Sequence, residues 1–429
     1  LKTDAVTTLK TQGLFVAITN RERATAKLRR MVSTRLWVRV FLLCCMSLAG
    51  GCDGSNDDDD DDDDDSTDPT LDDFLPEVPA PTGEAQSTYA GPITQSDIGE
   101  LIPGPTSAGM VGDFYIRNAR ARFVIQAPAR VIGVVPQGGN VVDAVALDDT
   151  GAPVTGDHFG ELSMVYVLGR TCDHQRVEVL RDGSGGGAAV VRARGVAASN
   201  DFINLRGIGL IPVPLDLDPD VDDRVECATT YVLEPDSPTL RVSWTLFNPG
   251  DDHVGGAFGT LSDTGGETDS YSPERGFERL GIGALTSLGD PAPVDYAVFQ
   301  GPGVAYGLIP RHADPTTPNS AFLIAGVSVV LYKAQALLDI TNPEAFELDL
   351  DAHDGVTKDL DLVIGADAAD VEQAYLAGRG EATAPIAGTV AWSSDEEVPV
   401  GARVGFYRDG NDDGDLDDEE DRIRAYADL

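Results

Sequence analysis

Residues 227–248 read CATTYVLEPDSPTLRVSWTLFN, and this stretch decides the fold class. In its second half Leu240, Val242, Trp244 and Leu246 alternate with Arg241, Ser243, Thr245 and Phe247. That period of two places one set of side chains on each face of a strand. Between the two apolar runs stands Pro235-Asp236-Ser237-Pro238. Proline presets φ for a turn, while Asp and Ser hydrogen-bond their own backbone. The segment therefore reads as an antiparallel hairpin.

The same short-period pattern extends outward in both directions. Phe114 and Ile116 in DFYIRN, RFVIQAP at 122–128, DYAVFQ at 295–300, GVAYGLIP at 303–310 and AFLIAGVSVVLYK at 321–333 all read as strands. Helical periodicity is confined to 367–378, where Asp367 stands as N-cap, Val371, Ala374 and Tyr375 share a face, and Gly378 ends the run. With 47 Gly and 26 Pro in 429 residues, the chain is expected to be mostly β, a large antiparallel β-sandwich over 89–380. The segment Arg379-Gly380-Glu381-Ala382-Thr383-Ala384-Pro385 reads as a boundary. A new β pattern follows it (IAGTVAWSS, VPVGARVGFYRDG, RIRAYADL), which is expected to form a partial small β-sandwich over 384–429.

Charge excludes one class of partner. The chain has 72 Asp and Glu against 31 Lys and Arg, a net of −41, which opposes a phosphate backbone and argues against nucleic acid. Apolar residues make up 42% and charged residues 24%, a balance that buries a core rather than leaving the chain unfolded. The length suits two or three domains.

Residues 1–51 read as an address. From Met31 a short basic stretch, MVSTRLWVR, leads into VFLLCCMSLAG and then Gly51-Cys52. This is the order of a secretory signal peptide, and its apolar run falls short of the ~20 residues that span a bilayer. Leu48-Ala49-Gly50-Gly51-Cys52 resembles a lipobox, in which the cysteine carries diacylglycerol on its sulfur, with Ala49 where Leu is usual. An ordinary signal peptide with a nearby cysteine is the alternative. Residues before Met31 read as an over-extended start. Residues 1–51 hold nine Lys and Arg and two Asp and Glu, so the remainder carries 22 against 70, a net of −48. The stretch 52–88 contains nine consecutive aspartates, Asp57 to Asp65, followed by a proline-rich run, and is expected to be an extended acidic tether. The implied location is the bacterial cell envelope, with a membrane partner through lipid on Cys52.

The common catalytic signatures are missing from the sequence. The five histidines stand singly, and there is no H-x-H, H-E-x-x-H, C-x-x-C, G-x-S-x-G, P-loop or Rossmann pattern. Two polar loop clusters remain as ligand candidates: Asp157, His158 and Glu161 in GDHFGE, and Asp263 and Glu267 in SDTGGE. Turn formation alone also accounts for such residues. DGNDDGDLDDEE at 409–420 matches the twelve-residue calcium loop at every specified position. Asp409, Asn411 and Asp413 would supply side-chain oxygens and Gly414 the sharp turn. Asp415 would offer its carbonyl, Asp417 would bind directly or through water, and Glu420 would close the site with both oxygens. The flanking sequence is strand-like, so the expectation is a structural calcium clip, with a hydrated acidic turn as the alternative. Cys172 and Cys227 remain as a pair for a disulfide in an oxidising compartment, or as two buried thiols.

Several phrases taken together resemble a known family: GDFYIRNARARFVIQAP, GGNVVDA (138–144), GDHFGEL (156–162), VLGRT (167–171), DFINLRG (201–207) and SDTGGE (262–267). They look like the amino-terminal β-region of exported lipoproteins of the CehA/McbA-type PHP-domain metallohydrolase family. Residues 385–429 resemble an incomplete carboxypeptidase-regulatory-like domain. The first resemblance implies a non-catalytic front region whose metal-binding catalytic domain lies beyond this chain. No metal ligands carry over. TTYVLEPDSPTLRVSWTLFNPGDD also resembles the strand-turn-strand of galactose-mutarotase-like supersandwiches, which implies a sheet face that binds carbohydrate. The leading expectation is a cell-envelope lipoprotein that binds or scaffolds, with no catalytic centre in the chain. The alternatives are part of a PHP-type metallohydrolase, or a carbohydrate-active supersandwich working through Asp157, Glu161, Asp263 and Glu267.

Overall fold

In the computed structural model the described residues are 9–11, 14–19, 68–83, 88–128, 130–166, 169–200, 224–256, 258–263, 265, 268–273, 276–277, 293–312, 319–324, 327–332, 348–382, 403–408 and 422–428. Cys52, Glu267 and all six expected calcium ligands lie outside them.

The chain is mostly β, and every strand pairing among the described residues is antiparallel. The hairpin that decides the class is present. Glu226–Leu233 pairs with Thr239–Phe247 from Glu226↔Phe247 to Leu233↔Leu240, and Asp236 in the turn has φ 56°. This hairpin lies within the first sheet, which runs Arg170–Arg181, Ala189–Ser199, Glu226–Leu233, Thr239–Phe247, Gly355–Gly365, Val304–Arg311, Ala297–Gly301, Asp269–Ser272 and Gly276–Phe277. The second sheet runs Tyr89–Pro92, Phe114–Arg117, Ala121–Ile125, Val141–Ala146, Glu161–Tyr166, Phe258–Asp263, Val327–Leu331, Asn319–Ile324 and Pro293–Val294. The pair Tyr166↔Arg170 joins them, so hydrogen bonding continues from one sheet into the other. The apolar run at 321–333 forms two paired strands rather than one. The signal for the break is a single glycine, Gly326, inside a largely apolar run, where a glycine also reads as a bulge within one strand.

One core fills the space between the sheets. Leu240, Val242, Trp244 and Leu246 meet Phe123, Ile125, Leu162, Met164 and Phe258 there. Trp244 stands edge-on to Phe258 and Tyr332, with centroids 6.4 Å apart in both pairs, while Phe258 and Tyr332 stack at 5.6 Å. Truncating a buried aromatic of this kind costs about 3–5 kcal/mol.

Both outer faces carry partial covers. The helix Ala368–Gly378 is capped by Asp367, whose Oδ1 accepts from the Ala369 and Asp370 amides at 2.9 and 3.2 Å. It packs Val371 and Ala368 on Tyr296, Val298, Ala305, Ile309 and Val363 of the first sheet. Gly307 makes this approach feasible, since a Cβ there would lie 2.3 Å from Val371 Cγ1. Residues at the end of the expected tether are docked on the same sheet. Leu71 and Phe74 sit on Ala228 and Phe247, Phe74 stacks on Phe247 at 5.7 Å, and Val78 joins Ala188, Val190 and Val232. Thr357 Oγ1 donates to the Phe74 carbonyl at 2.7 Å, Arg192 Nη2 donates to the Pro76 carbonyl at 3.0 Å, and Arg194 pairs with Asp72. On the second sheet, Ile93 and Ile102 cover Tyr115, Val124, Val142 and Val145.

A separate four-stranded sheet has the order Leu9–Thr11, Leu14–Thr19, Arg403–Arg408, Arg422–Asp428. Two of its strands thus come from the stretch ahead of Met31.

Candidate functional site

At one end of the sandwich, loops from both sheets converge on Asp157 and His158. Asp157 follows a turn and precedes the strand Glu161–Tyr166, and it is wholly buried. Its Oδ1 accepts from the amides of Ala144 at 3.2 Å and Phe159 at 3.1 Å, with the Tyr306 hydroxyl at 3.5 Å. Its Oδ2 accepts from the Thr106 hydroxyl at 3.2 Å. The Asp157 amide donates to the Pro103 carbonyl at 2.7 Å, and Gly104 lies so close that a Cβ would come within 2.1 Å of that amide nitrogen. Burial, reinforced by the neighbouring Asp143 carboxylate, pushes the Asp157 carboxyl up to about 8. Asp143 is also raised by burial, although the Ala108 and Gly109 amides donate to its two oxygens at 2.7 and 2.9 Å.

His158 is nearly buried, and its amide donates to the Tyr306 hydroxyl at 3.0 Å. Its ring packs at Gly301, and its carbonyl stands against Gly265, where φ is 70° and a Cβ would sit 2.4 Å away. The Tyr306 hydroxyl is pushed up by burial and then by the Asp157 charge.

Glu161 serves a second loop. It is buried, accepts from the Val135 amide at 3.0 Å through Oε2 and from Asn140 Nδ2 at 2.9 Å through Oε1, and burial pushes it up to about 7. Asp263 is its cross-strand partner in register. Asp263 accepts from the Gly265 amide at 2.9 Å through its side chain and from the Gly160 amide at 3.1 Å through its carbonyl. The structure therefore sets Asp157 and His158 against Tyr306 and pairs Glu161 with Asp263 across two strands, and it gives both buried carboxyls backbone amides as partners.

His174 and the Asp113–Arg130 pair carry no motif in the sequence, yet His174 and Asp113 are buried beside these loops. His174 is fully enclosed, with Nδ1 2.8 Å from the Gly138 carbonyl and Nε2 2.9 Å from Thr229 Oγ1. A carbonyl only accepts, so Nδ1 carries the proton and Nε2 accepts from the hydroxyl. Burial drives this ring down to about 4 and keeps it neutral. Tyr231 donates to the next carbonyl, that of Gly139, at 2.8 Å. Buried Asp113 pairs with Arg130, whose Nη2 also donates to the Ala108 carbonyl at 2.7 Å. A lone charge inside an apolar strand or loop was the available signal at Asp113 and Asp143, but its partners are remote in sequence.

Cys172 and Cys227 form a disulfide with Cα atoms 6.0 Å apart. Both strands that carry these residues pair with Ala189–Ser199. No group of three or more potential metal ligands occurs among the described residues.

No protein-family model and no curated protein matches the chain. Among solved structures it is similar to a galactose mutarotase-like protein from Clostridium acetobutylicum, with 8% identity over 59% of this chain and 95% of that one, at a TM-score of 0.34. It is also similar to a galactose 1-epimerase from Lactobacillus acidophilus, with 10% identity, coverage of 65% and 98%, and a TM-score of 0.34. A third likeness is to an alpha-mannosidase from Enterococcus faecalis, with 12% identity and a TM-score of 0.37, where 68% of this chain spans 36% of that protein. At such identities and scores, no ligand or chemistry transfers from these proteins to this chain.

Proposed function

We propose that the chain is a bacterial cell-envelope lipoprotein whose β-sandwich binds or scaffolds without catalysing a reaction. In this reading lipid on Cys52 anchors it, and calcium on Asp409, Asn411, Asp413, Asp415, Asp417 and Glu420 clips its carboxyl-terminal part. The observation that carries the non-catalytic reading is the engagement of Asp157 and Glu161. Each is buried, and each accepts hydrogen bonds from backbone amides of adjoining loops, the arrangement of carboxyls that organise loops. The Cys172–Cys227 bond supports export, because such bonds persist in oxidising compartments.

A carbohydrate-active enzyme is the second reading. It is favoured by one property: Asp157 and Glu161 are raised to about 8 and about 7, where a carboxylic acid stays protonated near neutrality and is able to act as a general acid. The full chain incubated with a panel of p-nitrophenyl glycosides separates the two readings. The expected result is no release of nitrophenol. Turnover that disappears in Asp157→Asn or Glu161→Gln overturns the binding reading.

A further inference from the structure

Of the seven large apolar side chains exposed among the described residues, four stand on two loops: Met110 and Val111 on one, Val131 and Ile132 on the other, between 39% and 68% exposed. The loops lie at one end of the second sheet, because Phe114 pairs with Ile125 and Ile125 with Val141. Arg130 stitches them together, pairing with Asp113 and donating through Nη2 to the Ala108 carbonyl at 2.7 Å. Charged residues make up 24% of the chain, yet 101–112 and 131–142 contain no Asp, Glu, Lys, Arg or His. Much of the backbone in these loops is satisfied from within. Asp143 accepts from the amides of Ala108 and Gly109, Asp113 from those of Met110 and Ala127, and Glu161 from that of Val135, all at 2.7–3.0 Å. Polar groups bonded internally do not depend on water, so the tips are able to leave it at low cost. Exposed apolar side chains gathered in this way mark a docking surface.

We propose that these two tips dip into the interface of a lipid bilayer and hold this end of the sandwich against it. The proposal rests on the anchored reading above, which puts the domain beside a membrane. Asn200, next after the strand Ala189–Ser199, donates to the Val134 carbonyl at 3.3 Å, and Arg194 of that strand pairs with Asp72. The segment leading back to Cys52 therefore meets the sheet roughly 20 Å along one strand from the second loop. The 18 residues between Cys52 and Leu71 reach about 60 Å at most, enough for lipid on Cys52 to bring the tips to the surface. Size and chemistry argue against a protein partner. Four side chains fall well short of the roughly 800 Å² that each member of a stable pair buries, and a protein interface also needs directional polar groups across it. A bilayer asks only for apolar side chains without an unpaired charge. A chain of net −41 is repelled by anionic headgroups, so the surface that suits it is a neutral one. Four side chains hold weakly by themselves; the anchor gives residence and the loops give orientation.

The test places a nitrobenzoxadiazole dye on Met110→Cys, Val131→Cys or Val154→Cys in the full chain, with Cys44, Cys45 and Cys52 replaced by Ser, and adds vesicles of phosphatidylcholine. The dye brightens and shifts to the blue on leaving water, so it reports its own position whatever else brings the chain to the vesicle. Val154 is the control. It is 56% exposed, but its amide donates to the Ala146 carbonyl, at the far end of the strand Val141–Ala146. Expected is brightening with a blue shift at 110 and at 131 and neither at 154. Met110→Asp, which puts a charge in one tip, should remove most of the gain at 131. Thermal melts of the variants, expected to match the parent because all three positions are exposed, exclude unfolding as the cause. No change at 110 or 131, an equal gain at 154, or a gain at 131 that survives Met110→Asp overturns the proposal. A gain at 131 that grows with protein concentration and needs no vesicles assigns the tips to a second copy and overturns it too. Failure of the anchor reads out separately, as wild-type protein in the soluble fraction of cells, and the expected dye result supports the loops in either case.

Discussion

Asp157→Asn measures what a buried carboxyl costs this fold. In the folded protein Asp157 holds its proton up to about pH 8, while its unperturbed value is 3.8. The native state therefore binds more protons across that window. The contribution of the group to stability is complete below the unfolded value and is lost as pH climbs towards the folded one. Each pH unit inside the window is worth about 1.36 kcal/mol, so from about pH 5 to pH 7 the loss is roughly 3 kcal/mol, with about 1 kcal/mol more by pH 9. Asparagine does not ionise and fits the same contacts. Its Oδ1 accepts from the Ala144 and Phe159 amides, and its NH₂ donates to the Thr106 hydroxyl. Glu161 titrates in both proteins, whereas Asp143 interacts with Asp157 and loses that interaction in the variant, so the difference reports this carboxyl together with its coupling to Asp143. The assay is urea unfolding of both proteins at about pH 5, 7 and 9 under the linear extrapolation. The variant should gain about 3 kcal/mol on wild type between the first two conditions. A difference that stays flat across the three refutes the reasoning, because Asp157 would then be an ion in the native state rather than a neutral clamp.

Replacing Cys172 and Cys227 with Ser should cost about 4 kcal/mol in the chain-entropy account for a separation of 55 residues, read from denaturant midpoints; a loss below about 1 kcal/mol rejects that account. Chelator should lower the melting temperature of wild type and leave Glu420→Gln unmoved, and equal melting of wild type with and without chelator removes the calcium proposal. Cys52→Ser should shift the protein from the membrane to the soluble fraction, and retention in the membrane fraction counts against lipid on that residue. Gly307→Ala should destabilise by about 1–3 kcal/mol through overpacking against Val371, measured by thermal or urea melts, because the helix must retreat from the sheet.

Alternation made the scaffold legible. Leu240, Val242, Trp244 and Leu246 lie in the inter-sheet core while Phe247 sits outside beneath Phe74, as a period of two requires. The helix at 368–378 was equally legible from its Asp367 cap and Val371 face. The site was harder to read for a physical reason. Asp157 and Glu161 were visible as polar residues among glycines, but what engages them comes from Thr106, Ala144, Val135 and Asn140, brought close by tertiary packing alone. Asp361 in DLDLVIG reads as an ordinary outward carboxylate, and only the assembled sheet shows that it is buried opposite Arg241 and held by Arg311. The docked segment from Leu71 to Val78 escaped notice because four helical residues and scattered apolar side chains carry no periodic signal.

The Cys172–Cys227 bond also closes residues 172–227 into a covalent ring. A protease that cuts one peptide bond inside that ring does not shed a fragment. The two pieces stay joined through sulfur, and for a cut between 200 and 226 the strand Ala189–Ser199 still pairs with strands from both pieces. Such a nicked molecule migrates as one species without reductant and as two with it, and in the cell it keeps everything carboxyl-terminal to the cut attached to whatever holds the amino-terminal piece.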